Sequence, residues 1–235
     1  MAEIDRVHTE MPATGARKMA RMLTGKDMRT SRYEAQELMK MMNICCIYPK
    51  PNTSKPGKGN LRFPYLLKGK HIWLPNQVWA IDISYIPFKG GHMYLTAIID
   101  WYSRMIVGWT LADTLRNAPV LKCMKEAFVR YGVPAYCNSD QGSHFTAAAY
   151  IALLADNGVV QSMDGKGRWV DNVIIERWFR TLKCECVYIN GYESPRELRA
   201  GIKGFVESYN AVRLHESLDY RTPADVWSAA FSKAA

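Results

Sequence analysis

No stretch of this 235-residue chain approaches the ~20 apolar residues needed to span a bilayer. The opening residues, MAEIDRVHTE, are polar where a secretory signal would carry an apolar segment. A cytosolic protein without a membrane partner is therefore expected. Zinc signatures are missing too: the chain has six cysteines but no Cys-x-x-Cys, and no His pair at zinc-finger spacing. Cys184 and Cys186 fall on a predicted helix that points their thiols apart, so reduced thiols are expected rather than metal ligands. No internal repeat and no heptad run of a coiled coil can be read.

What the chain does have is basic charge, unevenly placed. The net charge is +9, and residues 1–75 hold 14 Lys/Arg against 6 Asp/Glu. Residues 76–190 are nearly neutral, with 11 against 10, and residues 191–235 balance at 6 against 6. A basic first third beside a neutral body fits a nucleic-acid-facing segment, and equally a solvated basic face. Hydrophobic content of 48% with seven Trp allows a sizeable core.

Four regions are expected: a basic helical region over 1–48, a basic linker over 49–72, a catalytic core over 73–190 and a helical extension over 191–235. In the first, ATGARKMARMLTG places Met19, Met22 and Leu23 on one side and ends at Gly25. TSRYEAQELMKMMN begins with Ser31 and Glu34 in a capping-box pattern, and Leu38, Met41, Met42 and Cys45 form its apolar stripe. Two short helices around Gly25 to Arg29 read as helix-turn-helix-like, with Arg29, Arg32 and Lys40 available for phosphates; a plain helical hairpin fits as well. Pro49 to Asn60, with three Pro, two Gly, three Lys and no apolar residue, reads as linker. From Trp73 the period changes to two. IDISYIPF, HMYLTAIIDWYS and RMIVGWTLAD read as antiparallel strands, followed by a helix over Asn117–Tyr131. AYCNS, the helix Ala147–Asn157 and the strand VVQSM complete an α/β pattern, with terminal helices over Arg196–Asn210 and Pro223–Phe231.

Three carboxylates stand out by context. Asp82 lies inside a strand, where it shares a face with Ala80, Ser84 and Ile86 while Trp79, Ile81, Ile83 and Tyr85 point the other way. An unpaired charge there costs several kcal/mol unless compensated, and a divalent metal held by converging carboxylates is one compensation. Asp140 closes a strand and opens a turn, the usual ligand position of an α/β sheet, and Gly142 lets the backbone turn tightly after it. Glu176 sits on an amphipathic helix capped by Asp171 or Asn172, with Ile175, Phe179 and Leu182 inward. Asn172, Glu176, Arg180 and Lys183 follow one another along one helix face. An ordinary ion-pair ladder would also explain Glu176 and Arg180. Read with Asp82 and Asp140, a metal-dependent polynucleotidyl transferase explains more.

The set IDISYIP, NSDQGSHFT, SMDGKGRWVDNVIIERWFRTLK and YNAVRLHESLDYRTP resembles the DDE transposases of bacterial insertion sequences, in the group often called insertion-sequence family three. The resemblance runs from about Thr14 to Trp227 and implies a ribonuclease-H-like, five-stranded mixed sheet flanked by helices, as in retroviral integrase cores. It places the catalytic, metal-binding triad on Asp82, Asp140 and Glu176, and a mobile loop on Met163 to Trp169. Arg180 and Lys183 match positions that face the DNA end. Lys166 and Arg168 are candidates for gripping phosphates, and Trp169 for stacking on a base or anchoring the loop. His144 is read as a hydrogen-bonded structural residue near Asp140. Asn210, Arg213 and His215 match a signature without a physical role of their own, and Asp219 stands where the family usually has Gly.

The implied chemistry needs positioning and charge neutralisation rather than a protein nucleophile. The all-oxygen ligand set suits two Mg²⁺ or Mn²⁺ ions. Water would cut the element end, and the freed 3′-hydroxyl would attack a second phosphodiester, by way of a circular intermediate. Element-end and target DNA, a homo-oligomer on that DNA and a bacterial, nucleoid-associated location are implied. So is an upstream-frame product carrying a helix-turn-helix and coiled coil, to which this chain would be the downstream-frame partner. The rivals are a nuclease of the same fold that cuts without joining, and a non-catalytic DNA-binding relic.

Overall fold

The computed structural model describes residues 1–24, 29–46, 63–164 and 172–232. It divides into two compact units, Met1–Pro56 and Gly57–Ala235. The linker expected over Pro49–Asn60 lies outside the described residues, as do Lys166, Arg168, Trp169 and Asp171.

In the first unit, α1 (Ala2–Glu10), α2 (Ala16–Thr24) and α3 (Arg32–Met41) pack around Ile4, Val7, Met19, Leu23, Ala35 and Met39. The capping box forms as expected, with Ser31 Oγ accepting from Glu34 N–H at 3.2 Å and the Glu34 carboxylate accepting from Ser31 N–H at 2.7 Å. The stripe of α3 is offset from the expected one. Ala35 and Met39, four residues apart, turn inward, Leu38 and Met42 flank them, and Met41 and Cys45 are exposed. Arg29, Arg32 and Lys40 are exposed.

The second unit is built on five strands: β1 (Val78–Phe88), β2 (Gly91–Asp100), β3 (Ile106–Ala112), β4 (Tyr136–Ser139) and β5 (Val160–Met163). Their order is β3-β2-β1-β4-β5; β1 pairs antiparallel with β2, β2 with β3, and β4 and β5 run parallel to β1. Short connections favour the antiparallel pairs, and α4 (Asn117–Tyr131) and α5 (Ala148–Asp156) supply the longer returns that parallel strands require. Residues 63–70 lie against the β4–β5 side: Leu67 is buried, Leu66 N–H donates to Ser162 Oγ at 3.1 Å, and Lys70 Nζ donates to the Tyr136 hydroxyl at 2.9 Å.

Alternation along β1 divides the core. Trp79 and Ile81 pack with Ile98, Val107, Met124, Phe128 and Leu154 on the α4–α5 face. Ala80 and Ile86 pack with Leu95, Ala97 and the inner stripes of α6 (Val173–Leu182) and α8 (Pro195–Ala211) on the other. A π-helical turn, Lys183–Val187, and the single turn α7 (Tyr188–Asn190) extend α6; α9 (Pro223–Ser232) ends the described chain. Gly108 on β3 is a close-approach glycine, since an added Cβ would stand 3.0 Å from Ile98 Cδ1 and 3.2 Å from Ala127 Cβ, so α4 could not seat as closely.

Candidate active site

The face of β1 that carries Ala80 and Ile86 also carries Asp82, opposite Ala97 on β2. Only part of the Asp82 side chain reaches solvent, and its Oδ1 accepts one hydrogen bond, from Ile83 N–H at 2.7 Å. Burial is the first reason its pKa is pushed up to about 7; the Ile83 hydrogen bond opposes the shift, and the fields of Asp140, Glu176 and Asp164 add to it.

Strand register explains why those charges meet. Ala80 on β1 is level with Asn138 on β4, and Asn138 with Ser162 on β5. Asp82, Asp140 and Asp164 each follow that level by two residues, Asp82 within β1 and the other two just past the ends of β4 and β5. Asp164 N–H donates to Ser139 O at 3.0 Å, carrying the ladder past the end of β5. Asp140 is exposed, and its Oδ1 accepts from Gly142 N–H at 2.8 Å. A Cβ at Gly142 would stand 2.8 Å from that same Oδ1, so the glycine makes room for the carboxylate. Its φ is not in the left-handed region, which corrects the tight-turn explanation. Asp164, which the sequence reading passed over, accepts from Asn138 Nδ2 at 2.7 Å. The signal was available, because it follows β5 as Asp140 follows β4.

Glu176 comes from α6, which buries Ile175, Trp178, Phe179 and Leu182 and so turns Glu176 and Arg180 outward. Asp82, Ser84, Glu176, Arg180, Lys183 and Tyr188 line one cleft of about 300 Å³. Glu176 and Arg180 share that cleft and form no ion pair, so the ladder is not what holds them. Asn172 does precede the helix, but its side chain makes no capping bond and is buried, with Oδ1 unpartnered. His144 is a structural residue as read: its Nδ1 lies 2.7 Å from Asn117 Oδ1, and burial lowers its pKa against the pull of Asp140.

Among the described residues no three acidic, imidazole or thiol side chains are already gathered at ligating distance of one point. The donor set nevertheless fits a hard divalent cation. It is all oxygen, and the pKa of Asp82 is raised first by burial and then by neighbouring negative charge, both of which a cation would offset. Asp82, Asp140 and Glu176 are the residues that would hold it.

Comparison with known proteins identifies the family of the chain. Residues 74–168 and 157–223 match two family models, each described as Integrase core domain. The transposase for insertion sequence element IS904 of Lactococcus lactis subsp. lactis (strain IL1403) is 31% identical over 227 residues, covering 93% of this chain and 88% of that protein. The chain belongs to the integrase-core transposases of bacterial insertion sequences, in insertion-sequence family three. Transposase InsF of IS3A from Escherichia coli (strain K12) is 32% identical over 144 residues, 60% of this chain and 50% of that protein, so the match spans about half the length of that relative. The HTLV-2 integrase catalytic core solved with magnesium has the same fold, with a TM-score of 0.50 at 15% identity over 66% of this chain and 97% of that one. The sheet is therefore ribonuclease-H-like.

Family membership also directs attention to Asn210, Arg213 and His215, whose work is now physical. The Asn210 side chain accepts from Ile106 N–H at 2.9 Å and donates to Ile106 O at 3.0 Å, fastening α8 to β3. Arg213 grips the Glu185 carboxylate with two N–H groups, tying the segment after α8 to the π-helical turn. His215 stacks edge-on against Tyr209 at 4.9 Å, and its backbone pairs with Arg221. These residues brace the helices behind α6.

Proposed function

We propose that Asp82, Asp140 and Glu176 are the catalytic triad of this transposase, and that it joins the 3′ ends of its element to target DNA. Family membership carries the coarser statement: the chain is a polynucleotidyl transferase that acts in DNA transposition by strand cleavage and strand transfer. The observation that carries the residue assignment is the cleft in which β1 and α6 bring Asp82 and Glu176 together, with Asp140, just past the end of β4, close enough for its charge to act on Asp82.

A divalent metal bound there, Mg²⁺ or Mn²⁺ and two ions by preference, would neutralise charge on the attacking and leaving oxygens. The protein's own part is positioning. Asp82 sits on the central strand, so its place is set by the ladders to β2 and β4. Glu176 is placed by the buried stripe of α6, and Asp140 by the Gly142 N–H. Arg180 and Lys183, on the rim of the same cleft, are suited to hold backbone phosphates of the DNA end. Lys166 and Arg168 are proposed for the same work from the segment before α6. The solved core of similar fold was obtained with magnesium, which supports the choice of metal.

The first unit is proposed as a helix-turn-helix-like DNA contact, residues 49–72 as the basic connection, 73–190 as the core and 191–235 as its helical extension. Several copies assembled on DNA, and an upstream-frame partner for end recognition, belong to the same proposal. Among the described residues no helix is long and apolar enough to cross a membrane; a cytoplasmic, nucleoid-associated location is proposed.

Strand cleavage and joining on labelled element-end DNA, in Mg²⁺ and in Mn²⁺, tests the assignment. Joined products from the wild type that vanish in Asp82→Asn, Asp140→Asn and Glu176→Gln are expected. Cleavage without joining would make the protein a nuclease, and joining that survives any one substitution would remove that residue from the triad.

A further inference from the structure

Helix α6 has a second polar side. At 3.6 residues per turn, Arg177, Trp178 and Thr181 lie roughly 100–200° around the axis from Glu176. They border a groove of about 750 Å³, more than twice the volume of the carboxylate cleft, closed by the β2–β3 turn and the segment after α8. Its charged and polar lining includes Arg104, Arg177, Arg213, His215 and a single carboxylate, the exposed Glu216.

Three buried polar side-chain atoms of this lining have no hydrogen-bond partner among the described residues: Arg104 Nη1, Trp178 Nε1 and His215 Nε2. Unpartnered buried polar atoms are costly, and three of them stand around one groove. The cations are poorly compensated as well. Arg213 is neutralised by Glu185, but neither Arg104 nor Arg177 forms an ion pair among the described residues. Asp100, the nearest candidate for Arg104, is committed to Ser103 N–H, Ser103 Oγ–H and Asn76 N–H. Burial, and repulsion from Arg177, lower the Arg104 pKa; burial, then Arg213 and Arg104, lower that of His215. Arg104 also holds a left-handed φ of 64°, a conformation that non-glycine residues adopt rarely and mostly where surrounding structure enforces it.

We propose that this groove binds a backbone phosphodiester of the DNA, away from the bond being broken, with Arg177 at the rim and Arg104 behind it. The proposal rests on the reading that this chain handles DNA. A phosphate offers several acceptor oxygens around one centre, which suits donors arriving from a helix, a turn and the chain after α8. The exposed Arg177 is open to a phosphate oxygen, and the buried Arg104 adds positive charge behind it. Because Glu176 and Arg177 are neighbours on one helix, DNA held in the groove would bear directly on the helix that presents the catalytic carboxylate.

The test is metal-free binding of a fluorescein-labelled duplex, read by anisotropy from about 50 to 200 mM salt, for the wild type, Arg104→Gln, Arg177→Gln and Arg196→Gln. Arg196 is an exposed arginine at the start of α8, outside the groove lining, and controls for lost net charge. Arg104→Gln and Arg177→Gln should each weaken binding about tenfold and flatten the log–log salt slope by roughly 0.9, with Arg196→Gln near the wild type. Arg177 is exposed, so Arg177→Gln carries the test if Arg104→Gln fails to fold. An unchanged slope in Arg177→Gln, or an equal loss in Arg196→Gln, would overturn the proposal. If inorganic phosphate at matched ionic strength stabilises the wild type but not Arg177→Gln, while the DNA slope is unchanged, the groove takes a small free anion and the DNA assignment is wrong. The binding assay needs no chemistry, so slope losses without strand joining would keep this inference and sink the transferase reading. A wild type that binds no duplex would sink both.

Discussion

Two aspartates on neighbouring strands of this sheet, Asp82 and Asp100, both have their pKa raised by burial, and they could hardly be served more differently. Asp100 is fully buried, and its oxygens accept from Ser103 N–H at 2.8 Å, Ser103 Oγ–H at 2.7 Å and Asn76 N–H at 2.9 Å. Asp82 has the single N–H of its own neighbour and faces three other carboxylates. A carboxylate that has collected its donors is a structural joint, here clamping the β2–β3 turn to the chain entering β1. One left short of donors among like charges is suited to the cation-binding role proposed for Asp82. Burial alone does not tell the two apart; the donor count does.

The largest effects should separate them cleanly. Asp82→Asn should cut strand joining by about 10³-fold or more, the scale on which losing a group that stabilises transition-state charge is felt, with no loss of stability. Asp100→Asn should do the reverse. Its amide NH₂ would face N–H donors, costing about 2–4 kcal/mol by urea unfolding, while per-molecule activity of the folded fraction stays close to the wild type. If Asp100→Asn abolished joining at undiminished stability, the donor-count distinction would fail.

The pH dependence of stability sharpens the contrast. Asp82 binds its proton more tightly folded, with a pKa of about 7, than unfolded. The folded state therefore carries the extra proton between the two values, and metal-free stability should fall as pH rises toward and through 7. Asp82→Asn, which cannot ionise, should lose this slope, so its stability gain over the wild type should be largest near pH 8 and vanish near pH 4. Saturating Mg²⁺ should reverse the wild-type slope, because the cation binds the ionised form. Asp164→Asn should move the wild-type midpoint to lower pH by removing one of the neighbouring charges. Thermal melts across that range, in EDTA and again in saturating Mg²⁺, measure all three, and a flat wild-type profile in EDTA would remove the account of Asp82.

The same contrast marks where reading the residues reached and where it stopped. Period-two alternation was enough to put Asp82 on the Ala80–Ile86 face, because a strand leaves a side chain only two directions. The hairpins followed from short connections, and α4 from its helical stretch with Pro119 near the start. Yet the argument that an aspartate inside an apolar strand is functional applies equally to Asp100. What excuses Asp100 arrives from Asn76, 24 residues earlier, and from Ser103 in a turn, and no local pattern reports such partners. Asp164 was missed because the nearness of these acids follows from strand register, which pairs residues distant in sequence. The cap expected at Asn172 failed because that side chain is buried instead of facing the helix's free N–H groups. Asn210, Arg213 and His215 were noticed by resemblance alone, since their partners Ile106, Glu185 and Tyr209 are set by how α8 docks.

A third aspartate, with neither burial nor chemistry, gives the smallest test. Asp219 is exposed in the turn before α9 and holds a left-handed φ of 53°. A side chain in that region costs up to about 1–2 kcal/mol, less for Asp than for most residues. Gly removes the cost but gives the unfolded chain more freedom, worth about 0.4–1 kcal/mol in the other direction. Asp219→Gly should therefore gain about 0.5 kcal/mol in urea unfolding, with joining activity and the pH profile of Asp82 unmoved. A gain well above that would mean that the neighbouring Tyr220, also left-handed at 55°, relaxes with it and that the strain is shared across the turn. A loss would mean that the Asp219 carboxylate is doing for this turn what Ser103 and Asn76 do for Asp100, and a donor count that finds it no partner would be missing something.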